Sequence, residues 1–76
     1  MALFFFNLIL ARERIEDDEG MNLPDLDAAK EEAKAAAREI VVDWLRSGRE
    51  IAGEVEIADA DSKPLLRIPF HGTIIA

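Results

Sequence analysis

Residues 24–48 read PDLDAAKEEAKAAAREIVVDWLRSG, and this stretch predicts one amphipathic helix from about Asp25 to Ser47. Asp25 is suited to the N-cap because its carboxylate can accept a backbone N–H of the first turn. Ser47 and Gly48 predict the end, since glycine readily takes the left-handed conformation that follows many helices. Between these caps the residues are mostly strong helix formers, with neither Gly nor Pro. Along the chain, we expect two short β segments on either side of this helix.

Apolar residues recur along the helix at spacings of three and four, which places them in one stripe. The stripe consists of Leu26, Ala29, Ala33, Ala36, Ala37, Ile40, Val41, Trp44 and Leu45. Its first half is nearly all alanine, so this end of the helix can approach a sheet closely. We expect Ile40 and Trp44 to fill the wider space at the other end. The charged residues between these positions predict a solvated opposite face.

The stretch from Leu3 to Leu10 is short and aromatic, and it predicts the first strand. One face holds Phe4, Phe6, Leu8 and Leu10, and the other holds Leu3, Phe5, Asn7 and Ile9. A half-exposed antiparallel strand normally alternates apolar with polar residues, but here only Asn7 is polar. Both faces of this strand are therefore expected to be covered, one of them by the helix.

The remaining strands complete a β-β-α-β-β order. Residues 14–17 predict a weaker second strand that returns through a turn at residues 11–13. After the helix, residues 52–58 alternate glutamate with Val55 and Ile57, as a one-sided strand does, and residues 65–70 predict the last strand. Pro69 belongs on an edge because it cannot donate to a ladder. This order predicts a single α+β domain with a four-stranded, mainly antiparallel sheet and one long helix packed on one face.

Length and composition restrict the function classes. A chain of 76 residues forms one small domain with a marginal core, and it has no cysteine for a disulfide or a thiolate metal site. Small domains of this kind often gain stability by oligomerising, which favours a homodimer. The net charge of −7 repels phosphate, so we expect no nucleic acid partner. The acidic balance favours solubility or a basic partner.

The apolar N-terminus does not have the pattern of a targeting segment. Residues 1–6 lack a basic n-region, and the apolar stretch is interrupted by Asn7 and leads directly into Arg12, Glu13 and Arg14. The chain has nothing close to the roughly 18–20 apolar residues of a transmembrane helix. We therefore expect a cytoplasmic protein that does not bind a membrane.

Residues that could support catalysis or metal binding are few. A Ser62–His71 pair can be drawn, but nothing resembles a nucleophile elbow, so we expect no enzyme activity. The acidic clusters at residues 16–19 and 59–61 do not match the ligand spacing of a calcium loop. One histidine and no cysteine make a zinc site improbable. The sequence thus predicts no catalytic, metal or cofactor site, and it implies no small-molecule substrate.

The chain resembles a family of small bacterial proteins known as domain of unknown function 6894, found chiefly in alphaproteobacteria. The resemblance rests on a Phe-Phe-x-Leu strand, on residues 15–20 and on the Leu-Pro-Asp-Leu helix entry at residues 23–26. It continues through residues 45–48, 55–57 and 65–70, and so covers nearly the whole chain. The chain departs from the family at residues 9–12, where family members commonly have an Arg-Asp-Gly-like turn. The resemblance implies the fold and no activity. A remoter likeness, at the level of the fold alone, is to HicB-type antitoxins.

The apolar residues on the second face of the sheet are the feature that a monomer explains least well. Leu3, Phe5, Ile9 and Leu65 form a candidate interface, unless residues 73–76 or the twist of the hairpins cover them. The leading hypothesis is a non-enzymatic protein-interaction module that self-associates, or docks a partner, through this apolar sheet face. The alternative is an antitoxin-like regulatory protein whose acidic surface covers a basic partner.

Overall fold

A computed structural model describes residues 1–72 of the chain. Its elements are β1 (Ala2–Leu10), β2 (Arg14–Ile15), β3 (Met21–Leu23), α1 (Leu26–Arg46), β4 (Ile51–Ala58) and β5 (Pro64–Gly72). The predicted α+β fold is confirmed, with an antiparallel sheet and the long helix packed on one of its faces. One addition to the prediction is β3, because residues 21–23 pair with β1 instead of leading directly into the helix.

The sheet is built on the central pair β1 and β4, which run antiparallel from Phe5 opposite Ala58 to Leu10 opposite Gly53. β5 pairs with the other side of β4 and forms one edge of the sheet. At the other edge, β3 pairs with the start of β1 and β2 pairs with its end. The loop between β2 and β3 therefore lies beside the middle of β1.

The predicted caps of the helix are confirmed. The Asp25 side chain accepts a hydrogen bond from the Ala28 N–H at 2.8 Å, and Ser47 is the C-cap. Gly48 follows with a φ of 73°, in the left-handed region that glycine enters most easily. Among residues 1–72, no helix is long and apolar enough to cross a membrane.

The core lies between the first half of α1 and the centre of the sheet. Its buried apolar residues are Phe4, Ala29, Ala33, Ala37, Val55 and Ile57. Three of the six are alanines of α1, and small side chains allow the helix backbone to approach the sheet closely, as the alanine stripe predicts. Trp44 lies at the margin of the core, since it is only half-buried and the Arg49 guanidinium lies 3.8 Å from its ring centroid.

β5 is longer than predicted and contains an irregularity. Ala58 pairs with Pro64 and Ile57 pairs with Leu66, so Leu65 has no opposite residue on β4. Leu65 is consequently exposed at a bulge in an edge strand. The expected edge position of Pro69 is confirmed.

Candidate functional site

The sheet face opposite α1 is the candidate site, and we call it the open face. Side chains alternate along a strand, so residues between the core positions point to this side. The open face carries Leu3, Phe5, Asn7, Ile9, Arg14, Glu54, Glu56, Ala58, Arg67 and Pro69. Within the described part of the chain, no helix covers it.

Strand register arranges the open face in three cross-strand rows. The first row is apolar and joins Phe5, Ala58 and Pro64. The middle row is polar and joins Asn7, Glu56 and Arg67. The third is mixed and joins Arg14, Ile9, Glu54 and Pro69. A charged row therefore crosses a face that the sequence suggests is largely apolar.

Glu56 is the centre of the middle row and is only 1% exposed. Its Oε1 accepts hydrogen bonds from Arg14 Nη2 at 2.5 Å and from Asn7 Nδ2 at 3.2 Å. Its Oε2 accepts one from Arg67 Nη2 at 3.2 Å. Burying a carboxylate is costly unless it is paired and hydrogen-bonded, and here both oxygens are satisfied. We call these four residues the Glu56 network.

The charges of the network stabilise the ionised form of Glu56. The hydrogen bond from Arg14 holds the pKa of this carboxyl below its usual range and outweighs burial, which would raise it. Each arginine also contacts a second carboxylate, with 3.2 Å from Arg14 Nε to Glu16 and 3.6 Å from Arg67 Nη1 to Glu54. The arginine side chains are 41% and 52% exposed. Both guanidinium groups are thus held in place at the surface.

Asp17 fixes the loop between β2 and β3 against β1. Its Oδ2 accepts from the Phe6 N–H at 3.1 Å, and its own N–H donates to Asn7 Oδ1 at 3.0 Å. Its Oδ1 accepts from the N–H groups of Glu19 and Gly20. Partial burial raises the pKa of Asp17, but the three backbone donors together keep that pKa below its usual value. The loop is therefore tied to the Glu56 network through Asn7.

The same loop covers one end of the open face. A Cβ on Gly20 would lie 2.9 Å from Leu3 Cδ1 and 3.0 Å from Phe5 Cε1, so the backbone contacts both side chains closely. Gly20 also has a φ of 73°, which favours glycine. The cover that the sequence leads us to expect over this face is thus partly supplied by the loop.

The four predicted interface residues are only partly brought together. Leu3, Phe5 and Ile9 are half-buried on one face of β1, whereas Leu65 lies apart at the bulge in β5. The role of these residues as an interface stays a prediction. Residues 73–76, the alternative cover, lie outside the described residues.

A metal site and the Ser62–His71 pair are the two chemical possibilities that the sequence raises. Among residues 1–72, no three or more His, Asp or Glu side chains are placed to hold a metal ion. Ser62 precedes β5 and His71 is near its end, so roughly 25–30 Å of strand separates them. The Ser62–His71 pair that the sequence allows is therefore not formed within one molecule.

Sequence reasoning missed Glu56 and Arg14 as members of one site. The alternation of β4 predicts a solvated Glu56, and nothing local marks it as buried. The one signal is Asn7, the only polar residue on its face of β1, which proves to lie directly opposite Glu56.

Comparison with known proteins identifies the family to which the chain belongs. No curated protein and no solved structure matches it. A family model described as domain of unknown function DUF6894 matches residues 3–71, which is nearly the entire chain. This protein therefore belongs to the DUF6894 family, as the resemblance in its sequence indicates.

Proposed function

We propose that the protein is a cytoplasmic, non-enzymatic interaction module that forms a homodimer through the open face. The observation that carries the proposal is the Glu56 network, in which two half-exposed arginines are fixed on one buried carboxylate. A chain without cysteine suits a reducing compartment such as the cytoplasm.

The fixed arginines favour binding for an entropic reason. Ordering a long side chain at an interface costs roughly 0.5–1.5 kcal/mol, and a side chain that is already ordered avoids much of this cost. Arginine is also enriched among the residues that dominate binding energy. Arg14 and Arg67 each retain N–H donors beyond those bound to Glu16, Glu54 and Glu56, since a guanidinium has five.

The apolar row supports a second copy of the chain as the partner. A two-fold axis parallel to the strands would place Phe5, Ala58 and Pro64 of one copy on the same row of the other. The polar row would then set the Arg67 end of one copy against the Asn7 end of the other. Apolar surface meets apolar surface along the first row in this arrangement, and Arg67 approaches the polar side chain of Asn7.

The balance of charge on the open face also favours self-association. Arg14 and Arg67 form ion pairs with Glu16, Glu54 and Glu56, so these five side chains together carry a charge near −1 while the whole chain carries −7. Two copies that meet through this face bring together nearly neutral patches, and their strongly acidic surfaces remain in solvent. Contact through other acidic surfaces would be opposed by repulsion.

A second candidate is the antitoxin-like function, in which acidic residues cover a basic protein. Its support is the row of exposed carboxylates at Glu13, Glu16, Asp18 and Glu19, next to the open face. A basic partner protein that binds here would protect the loop between β2 and β3 from hydrogen exchange. Failure of a lysine-rich test protein to bind at low ionic strength would remove this candidate.

The test of the homodimer compares charged substitutions on two surfaces by size exclusion and light scattering. Phe5→Asp places a charge in the apolar row, and Ile9→Lys places a cation beside Glu54. The control is Val42→Asp on α1, where the native valine is already 44% exposed and lies away from the open face. Circular dichroism confirms that each variant is folded.

We expect Phe5→Asp and Ile9→Lys to be monomers and Val42→Asp to be a dimer like the native chain. The two open-face variants differ in sign of charge and in their neighbours, so one that fails to fold does not invalidate the other. A folded open-face variant with an unchanged dimeric mass would contradict the proposal.

A further inference from the structure

A groove between α1 and the edge strand β5 lies on the helix side of the sheet. Its volume is about 540 Å³. Its floor is apolar, formed by Ala37, Val41, Ile68 and Phe70. Val42 extends this apolar surface into solvent. The groove is separate from the open face and takes no part in the proposed homodimer.

The rim of the groove is basic, although the chain as a whole is strongly acidic. Lys34 and Arg38 line it from α1. The two helix cations are spaced i,i+4, so they lie on adjacent turns of one helix face and repel each other. Lys34 has one exposed partner, Glu31, at 3.4 Å. Arg38 forms no ion pair within residues 1–72.

The two adjacent cations favour a ligand that carries a carboxylate. A carboxylate placed between Lys34 and Arg38 would relieve their repulsion and form charge-assisted hydrogen bonds. The apolar floor would receive an aliphatic side chain next to that carboxylate. A basic segment fails the first condition, and a segment without aliphatic side chains fails the second.

The dimensions of the groove set the length of the occupant. From Lys34 to Val42 the helix rises about 12 Å, which is the length of roughly four residues in extended conformation. The groove is restricted where Gly72 approaches α1, since a Cβ there would lie 2.6 Å from Val41 Cγ1. Pro69 supplies no N–H, so main-chain pairing with the edge of β5 is incomplete and side chains must contribute much of the binding.

We propose that this groove binds a short extended segment of a partner protein, about four residues long, in which aliphatic and acidic residues alternate. Aliphatic side chains occupy the floor formed by α1 and β5, and carboxylates pair with Lys34 and Arg38. The protein would thus present two interfaces, with the open face holding a second copy and the groove holding the acidic segment.

The probe is a capped pentapeptide of alternating leucine and glutamate, titrated into the ¹⁵N-labelled full chain and followed by NMR. One comparison peptide replaces glutamate with lysine, and another replaces leucine with serine. Because the protein is acidic, long-range attraction favours the lysine peptide, so preference for the glutamate peptide reports local recognition. We expect saturable shifts at Ala37, Ile68 and Phe70 with the glutamate peptide, and at least fivefold weaker binding of both comparison peptides.

Charge reversal at one residue tests the basic rim. Arg38→Glu removes a cation from the groove and places a carboxylate four residues from Lys34, which suits a stable helix. The matched control is Lys63→Glu, an equal change of net charge in the turn between β4 and β5. We expect Arg38→Glu to weaken binding of the glutamate peptide by roughly fivefold or more, and Lys63→Glu to change it by less than about twofold.

Three results would overturn the proposal. They are an absence of saturable shifts with the glutamate peptide, shifts confined to the open face, and equal weakening by Arg38→Glu and Lys63→Glu. The monomeric variant Ile9→Lys should bind the peptide as tightly as the native chain. Failure of the homodimer would therefore leave this test intact.

Discussion

The two faces of the sheet are built from the same strands but on different physical principles. The face under α1 is apolar, and it is closed by the small side chains of Ala29, Ala33 and Ala37. The open face encloses a carboxylate at Glu56, which is buried under arginines from two other strands. The first face depends on the removal of apolar area from water, and the second depends on the pairing of charges. Mutations should therefore act differently on the two faces.

The largest effect is expected from truncation of the helix-covered face. Ile57 is fully buried, and Ile57→Ala should lower the free energy of unfolding by about 2–5 kcal/mol through lost burial and a residual cavity. Ile9→Ala removes similar atoms from a half-buried site on the open face and should cost less than half as much. Urea denaturation of both variants measures the difference. Equal losses of unfolding free energy would mean that apolar burial on the two faces stabilises the chain equally.

A smaller effect is expected from neutralising the centre of the open face. Glu56→Gln keeps the shape but removes the charge that Arg14 and Arg67 share, and we expect a loss of about 1–3 kcal/mol. Glu54→Gln is the matched control, because Glu54 is more exposed and lies 3.6 Å from Arg67. Its loss should be under about 0.5 kcal/mol. Similar losses in the two variants would show that burial of Glu56 does not strengthen its pairing.

The contact between the open face and the loop that covers part of it can be tested by substituting Gly20. Gly20→Ala introduces a left-handed alanine, which costs roughly 1 kcal/mol, and a methyl group only 2.9 Å from Leu3 Cδ1. Gly48→Ala has the same φ of 73°, and no atom lies within 4 Å of the added Cβ. Gly20→Ala should therefore be the more destabilising of the two in thermal unfolding. If Gly48→Ala is equally destabilising, the contact between the loop and the open face is unimportant.

Acidification should gradually lower the free energy of unfolding, because two carboxylates at the open face lose their charge. The pKa values of Asp17 and Glu56 are lowered in the folded chain, so the unfolded chain binds protons first as the pH falls. The two carboxylates stabilise the folded chain fully at any pH above their ordinary pKa values, near 4. This stabilisation is lost as the pH falls through the lower pKa values of the folded state. Urea midpoints measured from pH 7 to pH 2 follow this loss. Stability that rises on acidification below pH 4 would contradict the assigned directions.

The difference between the faces also explains what the sequence can predict. The alanine stripe, the Asp25 cap and the Gly48 stop are local patterns, and the structure confirms each of them. The pairing of residues 21–23 with β1 is a tertiary contact that three residues do not specify. Burial of Glu56 depends on the register that sets it opposite Asn7 and Arg67, and alternation along β4 carries no information about register. Apolar periodicity therefore predicts the covered face, but the charged row could not be predicted.

The central claim is that the open face holds a second copy of the chain. The most direct test is the solution mass of the native protein, measured by light scattering after size exclusion over a wide range of concentrations. The account predicts twice the chain mass of 8.5 kDa, with dissociation only on dilution. A mass of 8.5 kDa at every concentration would contradict it.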